Sequence, residues 1–108
     1  MKLERPETLN SKVVKVPTGH GTLYITISEQ NNKPFEVFCT IGKSGGSIIA
    51  KAEAVGRLIT LALRYEVPLN EIVNQIINIA DDKPMPWKDT VIKSIPDAVG
   101  QVLKERYL

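Results

Sequence analysis

The first half of the chain alternates apolar and polar side chains with a period of two, the pattern of a half-buried β-strand. Two segments show it most clearly, residues 22–28 and residues 35–41. Turn-forming residues at 30–34 lie between them, so the two strands are predicted to form a hairpin. The valine-rich segment KVVKV at residues 12–16 predicts a further short strand that ends at Pro17, where a turn begins.

The second half of the chain follows the helical period instead. Apolar residues recur every three or four positions from Ser47, which predicts a long helix over residues 47–65 with a mostly apolar circumference. A second amphipathic helix is predicted to begin at Pro68, because proline suits the first helical position. Residues 80–92 are predicted to be a loop, and a short last helix is predicted to begin near Ser94.

Strands that precede helices indicate an α+β domain: a small antiparallel sheet of about three strands, followed by three helices packed on one face. Residues 1–11 are polar and are predicted to form a flexible N-terminal arm or a partner-binding tail. Residues 12–108 are predicted to form a single domain. The sheet face opposite the helices carries Tyr24 and Phe38. These residues form either a partner surface or ordinary scattered exposed aromatics.

Composition excludes several classes of function. Net charge is +2, from 14 basic and 12 acidic residues, which is too balanced to indicate nucleic acid or an anionic membrane by bulk charge. The single cysteine, Cys39, allows no disulfide within the chain, so a reducing, cytoplasmic compartment is expected. Residues 1–12 contain no apolar segment and no apolar run of about 18 residues occurs, so we expect no secretion signal and no membrane partner.

The most specific chemistry lies in the turn GKSGG, residues 42–46, which leads into the long helix. The first N–H groups of a helix have no intrahelical partner, and with the helix dipole they form a ready anion site. Lys43 adds a charge and Ser44 a hydroxyl. The alternative is a plain connection whose glycines serve only positive φ. The turn is not a Walker A loop, because its lysine precedes the glycine pair.

We therefore predict a site for an anionic, phosphate-bearing ligand. Its residues are Lys43, Ser44, Gly45, Gly46, Ser47, Arg57, His20 and Thr18. His20 and Thr18 approach from the turn before strand 22–28. Arg57 lies about 15 Å along the helix from its start, so it serves a distal part of a long ligand or the ligand of a neighbouring chain. The plainer interpretation is that His20 and Arg57 are ordinary surface residues.

One long stretch of the chain matches the pattern of a known domain. In order, it contains PTGHGTLYITI, KPFEVFCTIGKSGG, AEAVGRLITLALR, VPLNEIVNQI and SIPDAVGQVL, and it resembles the TSCPD domain. That domain is found at the C-terminus of adenosylcobalamin-dependent ribonucleotide reductases and in small stand-alone proteins. Its pattern carries cysteines at three places, where this chain has His20, a cysteine-free segment at residues 78–92, and Ile95. The zinc site that the pattern implies is therefore expected to be absent.

Two classes of function follow. No catalytic triad, carboxylate pair or metal cluster stands out, so we expect no enzyme and no cofactor. The first class is a non-catalytic domain that captures a nucleotide-like or phosphorylated molecule, as a sensor or sequestering protein, for instance a viral counter-defence protein that takes up a nucleotide signal. The alternative is an accessory protein-interaction or nucleic-acid-binding domain associated with ribonucleotide reductase, working through Tyr24 and Phe38. A homo-oligomer is expected, because much apolar surface is left uncovered.

Overall fold

The structure, a computed structural model, describes residues 1–108 and contains five strands and three helices. They are β1 (Asn10–Thr18), β2 (Gly21–Gln30), β3 (Lys33–Ile41), α1 (Gly46–Arg64), α2 (Leu69–Ile76), β4 (Met85–Trp87), β5 (Thr90–Ile92) and α3 (Ile95–Tyr107). The predicted α+β class is confirmed: a three-stranded antiparallel sheet precedes three helices, and a two-stranded sheet is added. None of the helices combines the length and the apolar composition that a membrane span requires.

The three long strands lie in the order β1-β2-β3, each antiparallel to the next. Residues with positive φ lie at the tight turns between them: Asn31 and Asn32 between β2 and β3, and Gly21, the first residue of β2, with φ of 120°. Pro17 lies inside β1, opposite Thr22, so the prediction that it ends the strand is wrong. β1 is an edge strand, where a residue without an N–H is tolerated.

One face of the three-stranded sheet forms the floor of the hydrophobic core. Alternate residues of each strand point into it, as the period of two predicts. The sheet contributes Val14, Val16, Leu23, Ile25, Ile27, Val37, Cys39 and Ile41, and the elements packed on it contribute Ile59, Leu63, Ile72, Val73, Ile92, Val99, Val102 and Leu103. Burial of these side chains is the main favourable contribution to folding.

The long helix α1 lies beside β3, along the edge of that strand that pairs with no other strand. Gly56 faces the strand backbone so closely that a Cβ there would lie 3.0 Å from the Val37 oxygen and 3.1 Å from the Cys39 nitrogen. The Thr60 hydroxyl accepts from the Val37 N–H and donates to the Val37 oxygen, both at 2.9 Å. The helix therefore covers the strand edge and is held in place by it.

The segment at residues 80–92, predicted to be a loop, contains the β4–β5 hairpin, so that prediction is wrong. Met85 pairs with Ile92 across the hairpin. Each strand is only three residues long and no alternation signals it. Met85 and Trp87 pack against the core, and the Lys88 ammonium lies 4.4 Å from the centre of the Trp87 ring.

The arm that precedes β1 makes specific contacts with the end of α1 and with β3. The Leu3 N–H donates to the Arg64 carbonyl at 2.7 Å, and the Arg64 guanidinium donates back to the Leu3 carbonyl. The Arg5 guanidinium donates to both oxygens of the buried Glu36 carboxylate, at 2.8 and 3.1 Å. The arm thus links the helix to the strand, while its predicted flexibility stays a prediction.

The Arg5–Glu36 pair predicts a loss of stability in acid. The hydrogen bond from Arg5 lowers the pKa of Glu36, because it stabilises the ionised carboxylate. A lowered folded-state pKa contributes stability above the unfolded value of about 4.3, and this contribution is lost as the pH falls through the folded value. We expect the stability of the wild type to fall more steeply below that pH than the stability of Glu36→Gln.

Urea unfolding of both proteins across the acid range measures this difference directly. Other carboxylates titrate in both proteins, so only the gap between the two curves reports on Glu36. A gap that does not change with pH would show that the Arg5–Glu36 pair contributes nothing to acid sensitivity.

Candidate functional site

The connection from β3 to α1 is exposed and rich in glycine, yet neither its backbone conformation nor its packing requires glycine. Its left-handed residue is Lys43, with φ of 55°. Gly45 has φ of −69° and ψ of 160°, which any residue can adopt. A Cβ built on Gly42, Gly45 or Gly46 would meet no atom within 4 Å. The alternative that these glycines serve only positive φ is therefore wrong, and the turn exposes bare backbone.

The N-terminus of α1 is uncapped. Gly45 occupies the N-cap position without a side chain to accept a hydrogen bond, and the first turn holds no acidic residue. The N–H groups of Gly46 and Ser47 consequently have no acceptor within the chain. Lys43 precedes this terminus and Lys51 follows it, both exposed. The dipole and the two lysines give this end of the helix a positive potential.

The N-terminus of α3 shows what a satisfied helix start looks like in the same chain. The Ser94 hydroxyl accepts from the Asp97 N–H at 3.1 Å. The buried Asp97 carboxylate accepts from the N–H groups of Asn78 and Lys93 at 2.7 and 2.9 Å. The open terminus of α1 therefore differs from α3 in both its cap and its charge.

The turn between β1 and β2 lies beside the glycine turn, because β2 pairs with β3. The Ser44 hydroxyl donates to the His20 carbonyl at 3.2 Å, so the structure brings these two predicted site residues together. Thr18 has a different role. Its hydroxyl donates to the Gly21 carbonyl at 2.6 Å and accepts from the His20 N–H at 3.1 Å, which stabilises its own turn.

The His20 side chain contacts a residue that the sequence analysis missed. Its Nε2 lies 2.9 Å from an oxygen of Asp81. Burial opposes ionisation of that carboxyl, but hydrogen bonds from the Lys83 N–H and from His20 outweigh it and lower the pKa of Asp81. The two partners lie 61 positions apart, and no local pattern relates them. Only the packing of the segment after α2 against the turn could have indicated the pair.

A groove of about 420 Å³ lies beside the first turns of α1, next to His20. Ile48 and Val55 of the helix and Pro96 of α3 give it an apolar lining. Lys51 and Asp82 add polar groups. The uncapped helix start and this groove are thus neighbours along the same helix.

The predicted site residue Arg57 stands apart from the others. It lies on α1 well beyond the helix start, and its guanidinium donates to Glu53 at 3.3 Å on the exposed surface. The structure therefore does not place Arg57 with the glycine turn of its own chain. An i,i+4 pair of this kind contributes only about 0.3–0.5 kcal/mol to stability.

Side chains suited to metal binding are scattered. No group of three or more His, Cys, Asp or Glu residues comes together in a way that could hold a metal ion. Cys39 is buried, and burial raises the pKa of its thiol to about 12. A thiol with so high a pKa is a poor nucleophile and a poor ligand at neutral pH. The absence of zinc stays a prediction.

A larger cavity, of about 550 Å³, lies at the other ends of β3 and α1. Phe35 and Tyr107 line it, together with Lys33 and Glu66, which carry opposite charges. The Tyr107 hydroxyl is already bound to a carboxylate, and the adjoining first turn of α2 holds Glu71. The charges around this cavity are therefore mixed, whereas the exposed Lys43 and Lys51 flank the start of α1.

The fold and the glycine turn define a small α+β domain with an open helix start. The family model of the TSCPD domain matches residues 1–107, and the chain belongs to the TSCPD family. The resemblance drawn from the sequence is thereby confirmed. Comparison with curated proteins and with solved structures returned no match.

Proposed function

We propose that this protein is a non-catalytic binding domain that captures a small nucleotide-like or otherwise phosphorylated molecule at its glycine turn. The observation that carries the proposal is the bare backbone of residues 42–46, where neither conformation nor packing requires glycine. Glycine there leaves the backbone accessible to a group from outside the chain. An anionic group suits it, because the helix start is uncapped and positive.

The anion would be held mainly by backbone donors. The N–H groups of Gly46 and Ser47 have no acceptor within the chain and can donate to phosphate oxygens. Lys43 supplies a mobile cation, and the Ser47 hydroxyl can donate as well. The Ser44 hydroxyl is directed to the His20 carbonyl, so its role is to hold the two turns together.

The neighbouring groove suits the rest of such a ligand. Its apolar lining, formed partly by Ile48 and Val55, can contact the face of a base, and the Asp82 carboxylate can accept from sugar hydroxyls. The position of the groove beside the same helix end allows one molecule to occupy both parts. A free phosphate would occupy only the turn and should bind more weakly than a nucleotide.

Sensing or sequestration is the proposed use of this binding. The buried Cys39 thiol, with its raised pKa, is unsuited to nucleophilic catalysis, and no metal-binding cluster is present. Capture of a nucleotide signal, as in viral counter-defence, is one form that sequestration could take. The cytoplasm is the proposed location, because the single cysteine is free.

Two substitutions in the turn test the proposal. Lys43→Ala removes a charge-assisted contact and should weaken binding about ten-fold, the equivalent of about 1.4 kcal/mol. Gly45→Val should weaken binding at least as much, because its branched side chain blocks the backbone. Gly45 has an extended conformation and open space around it, so we expect Gly45→Val to change stability by less than about 1 kcal/mol.

The measurement is a thermal-shift screen of the wild type with inorganic phosphate, nucleoside phosphates and cyclic nucleotides, followed by calorimetry with the best binder. Lys15→Ala, which removes an exposed lysine on the sheet, is the matched control and should bind normally. If Lys43→Ala and Gly45→Val fold and bind as the wild type does, the turn is only a connection.

A second function is supported by the outer face of the sheet. Val13, Tyr24 and Phe38 are exposed there, and Phe38 lies in the same cross-strand row as Val13, on either side of Thr26. Such an apolar patch favours a protein or nucleic-acid partner, in keeping with an accessory domain of ribonucleotide reductase. This function replaces the first if the glycine-turn variants leave ligand binding intact.

A further inference from the structure

The side of α1 that faces away from β3 carries an exposed stripe of residues, of which the half towards the end of the helix is strongly apolar. We name it the outer stripe; in order along the helix it consists of Ser47, Lys51, Ala54, Leu58, Leu61 and Tyr65. These residues are spaced three or four apart and so share one face. Leu58 is 66% exposed, Leu61 46% and Tyr65 52%. Nothing within the chain covers them.

The side chains of the outer stripe become larger from the start of the helix towards its end. Serine and alanine, with the flexible stem of Lys51, occupy the half near the glycine turn, and Leu58, Leu61 and Tyr65 occupy the other half. A second copy of the helix, placed antiparallel, would set each large residue against a small one. Leu58 would face the partner's Ala54, and Leu61 would pack on the stem of the partner's Lys51.

We infer that two copies of this chain associate through the outer stripe, with the two α1 helices antiparallel about a two-fold axis near the level of Gly56. A two-fold axis requires a surface that complements itself. The outer stripe meets this requirement, because its small residues lie at one end and its large residues at the other. A parallel pair would instead oppose leucine to leucine and alanine to alanine, leaving a gap at one end and crowding at the other.

Charge on the flank of the stripe favours the same arrangement. Glu53 and Arg57 lie on one side of the helix, both largely exposed, and pair with each other at 3.3 Å. The two-fold axis places the same flank of both helices side by side, with the two chains running in opposite directions. Arg57 would then lie within reach of the partner's Glu53, and the reverse contact would form by symmetry. The two helix dipoles would also be antiparallel, which is the favourable arrangement for neighbouring dipoles.

Association in this way changes the surroundings of the glycine turn. Ser47, at one end of the outer stripe, would lie opposite the partner's Tyr65. An aromatic ring from the second copy would therefore stand beside the open start of α1. This consequence rests on the proposed function, but the association does not, because it is measured without any ligand.

The first experiment measures the mass of the protein by light scattering or sedimentation over a range of concentrations. We expect the wild type to approach 24 kDa, twice the 12.0 kDa of one chain. Leu58→Glu should remain near 12 kDa. Val13→Glu is the matched control, because Val13 is 64% exposed on the outer sheet face, and this variant should associate like the wild type. A monomeric wild type, or dissociation by Val13→Glu alone, would overturn the inference.

The second experiment tests the direction of the helices. Lys51→Cys and Leu61→Cys are prepared separately and then mixed under mild oxidation, because these positions lie about 15 Å apart along one helix. Cys39 is buried and should not interfere. The antiparallel arrangement predicts a disulfide chiefly between the two different variants. Predominant linkage of Lys51→Cys to itself would show a parallel pair and would contradict the inference.

Discussion

Replacement of Asp97 by alanine is expected to lower the free energy of unfolding by about 3 kcal/mol or more. The Asp97 carboxylate is fully buried and accepts hydrogen bonds from the Asn78 N–H, the Lys93 N–H and the Gln101 amide. Alanine leaves these donors without their acceptor and opens a small cavity between α2 and α3. Urea unfolding measures the change, with the slope checked for constancy.

Asp89→Ala is the matched control for this experiment. Asp89 lies exposed in the turn between β4 and β5, so its loss should change stability by less than about 0.5 kcal/mol. Asp97→Asn keeps the shape but replaces one acceptor oxygen by a donor, and it should fall between the two. A wild-type stability for Asp97→Ala would mean that the carboxylate does not organise this end of the fold.

Gly56→Val should destabilise the protein by about 3 kcal/mol, because its side chain cannot fit between α1 and β3. Even the first added carbon would lie 3.0 Å from the Val37 oxygen. The two further methyl groups would push the helix away and break the contacts of Thr60 with Val37. Valine is a better helix former than glycine by a few tenths of a kcal/mol, so local propensity opposes the expected result.

Two variants separate packing from propensity in that prediction. Ala50→Val adds valine to the outward side of the same helix, where it is exposed, and should change stability little. Gly56→Ala adds only the Cβ and should have a small effect of either sign. Thermal unfolding of the three variants should therefore rank Gly56→Val as the least stable by a wide margin, and equal stability of all three would refute the close packing.

The main elements of the fold could be predicted because their periods are long and clear. The strands around residues 22–28 and 35–41 and the helix near 47–65 lie within one or two residues of the predicted bounds. The β4–β5 hairpin could not be predicted, because three residues are too few for an alternation. The end of β1 could not be predicted from Pro17, because the effect of a proline depends on whether the strand is central or at an edge.

The candidate site was predicted in part. The glycine turn is a local feature, and pairing of neighbouring strands was enough to expect His20 close to it. Asp81 could not be found, because its contact with His20 depends on how distant segments pack. The sequence also could not distinguish a glycine required by φ from a glycine that leaves backbone bare. That distinction needed the φ angles and the open space around Gly42 and Gly45.

The cover that α1 places over β3 also limits uncontrolled polymerisation. A sheet with two open edges can add strands from other molecules without end. Here the Thr60 hydroxyl is hydrogen-bonded to the N–H and the carbonyl of Val37 on the edge of β3 that α1 covers. Another strand can therefore be added only at β1. That edge carries exposed lysines at 12 and 15 and Pro17, which discourage it. Should two molecules nevertheless join there, the resulting sheet would end in a helix on both sides, and no fibril could grow from it.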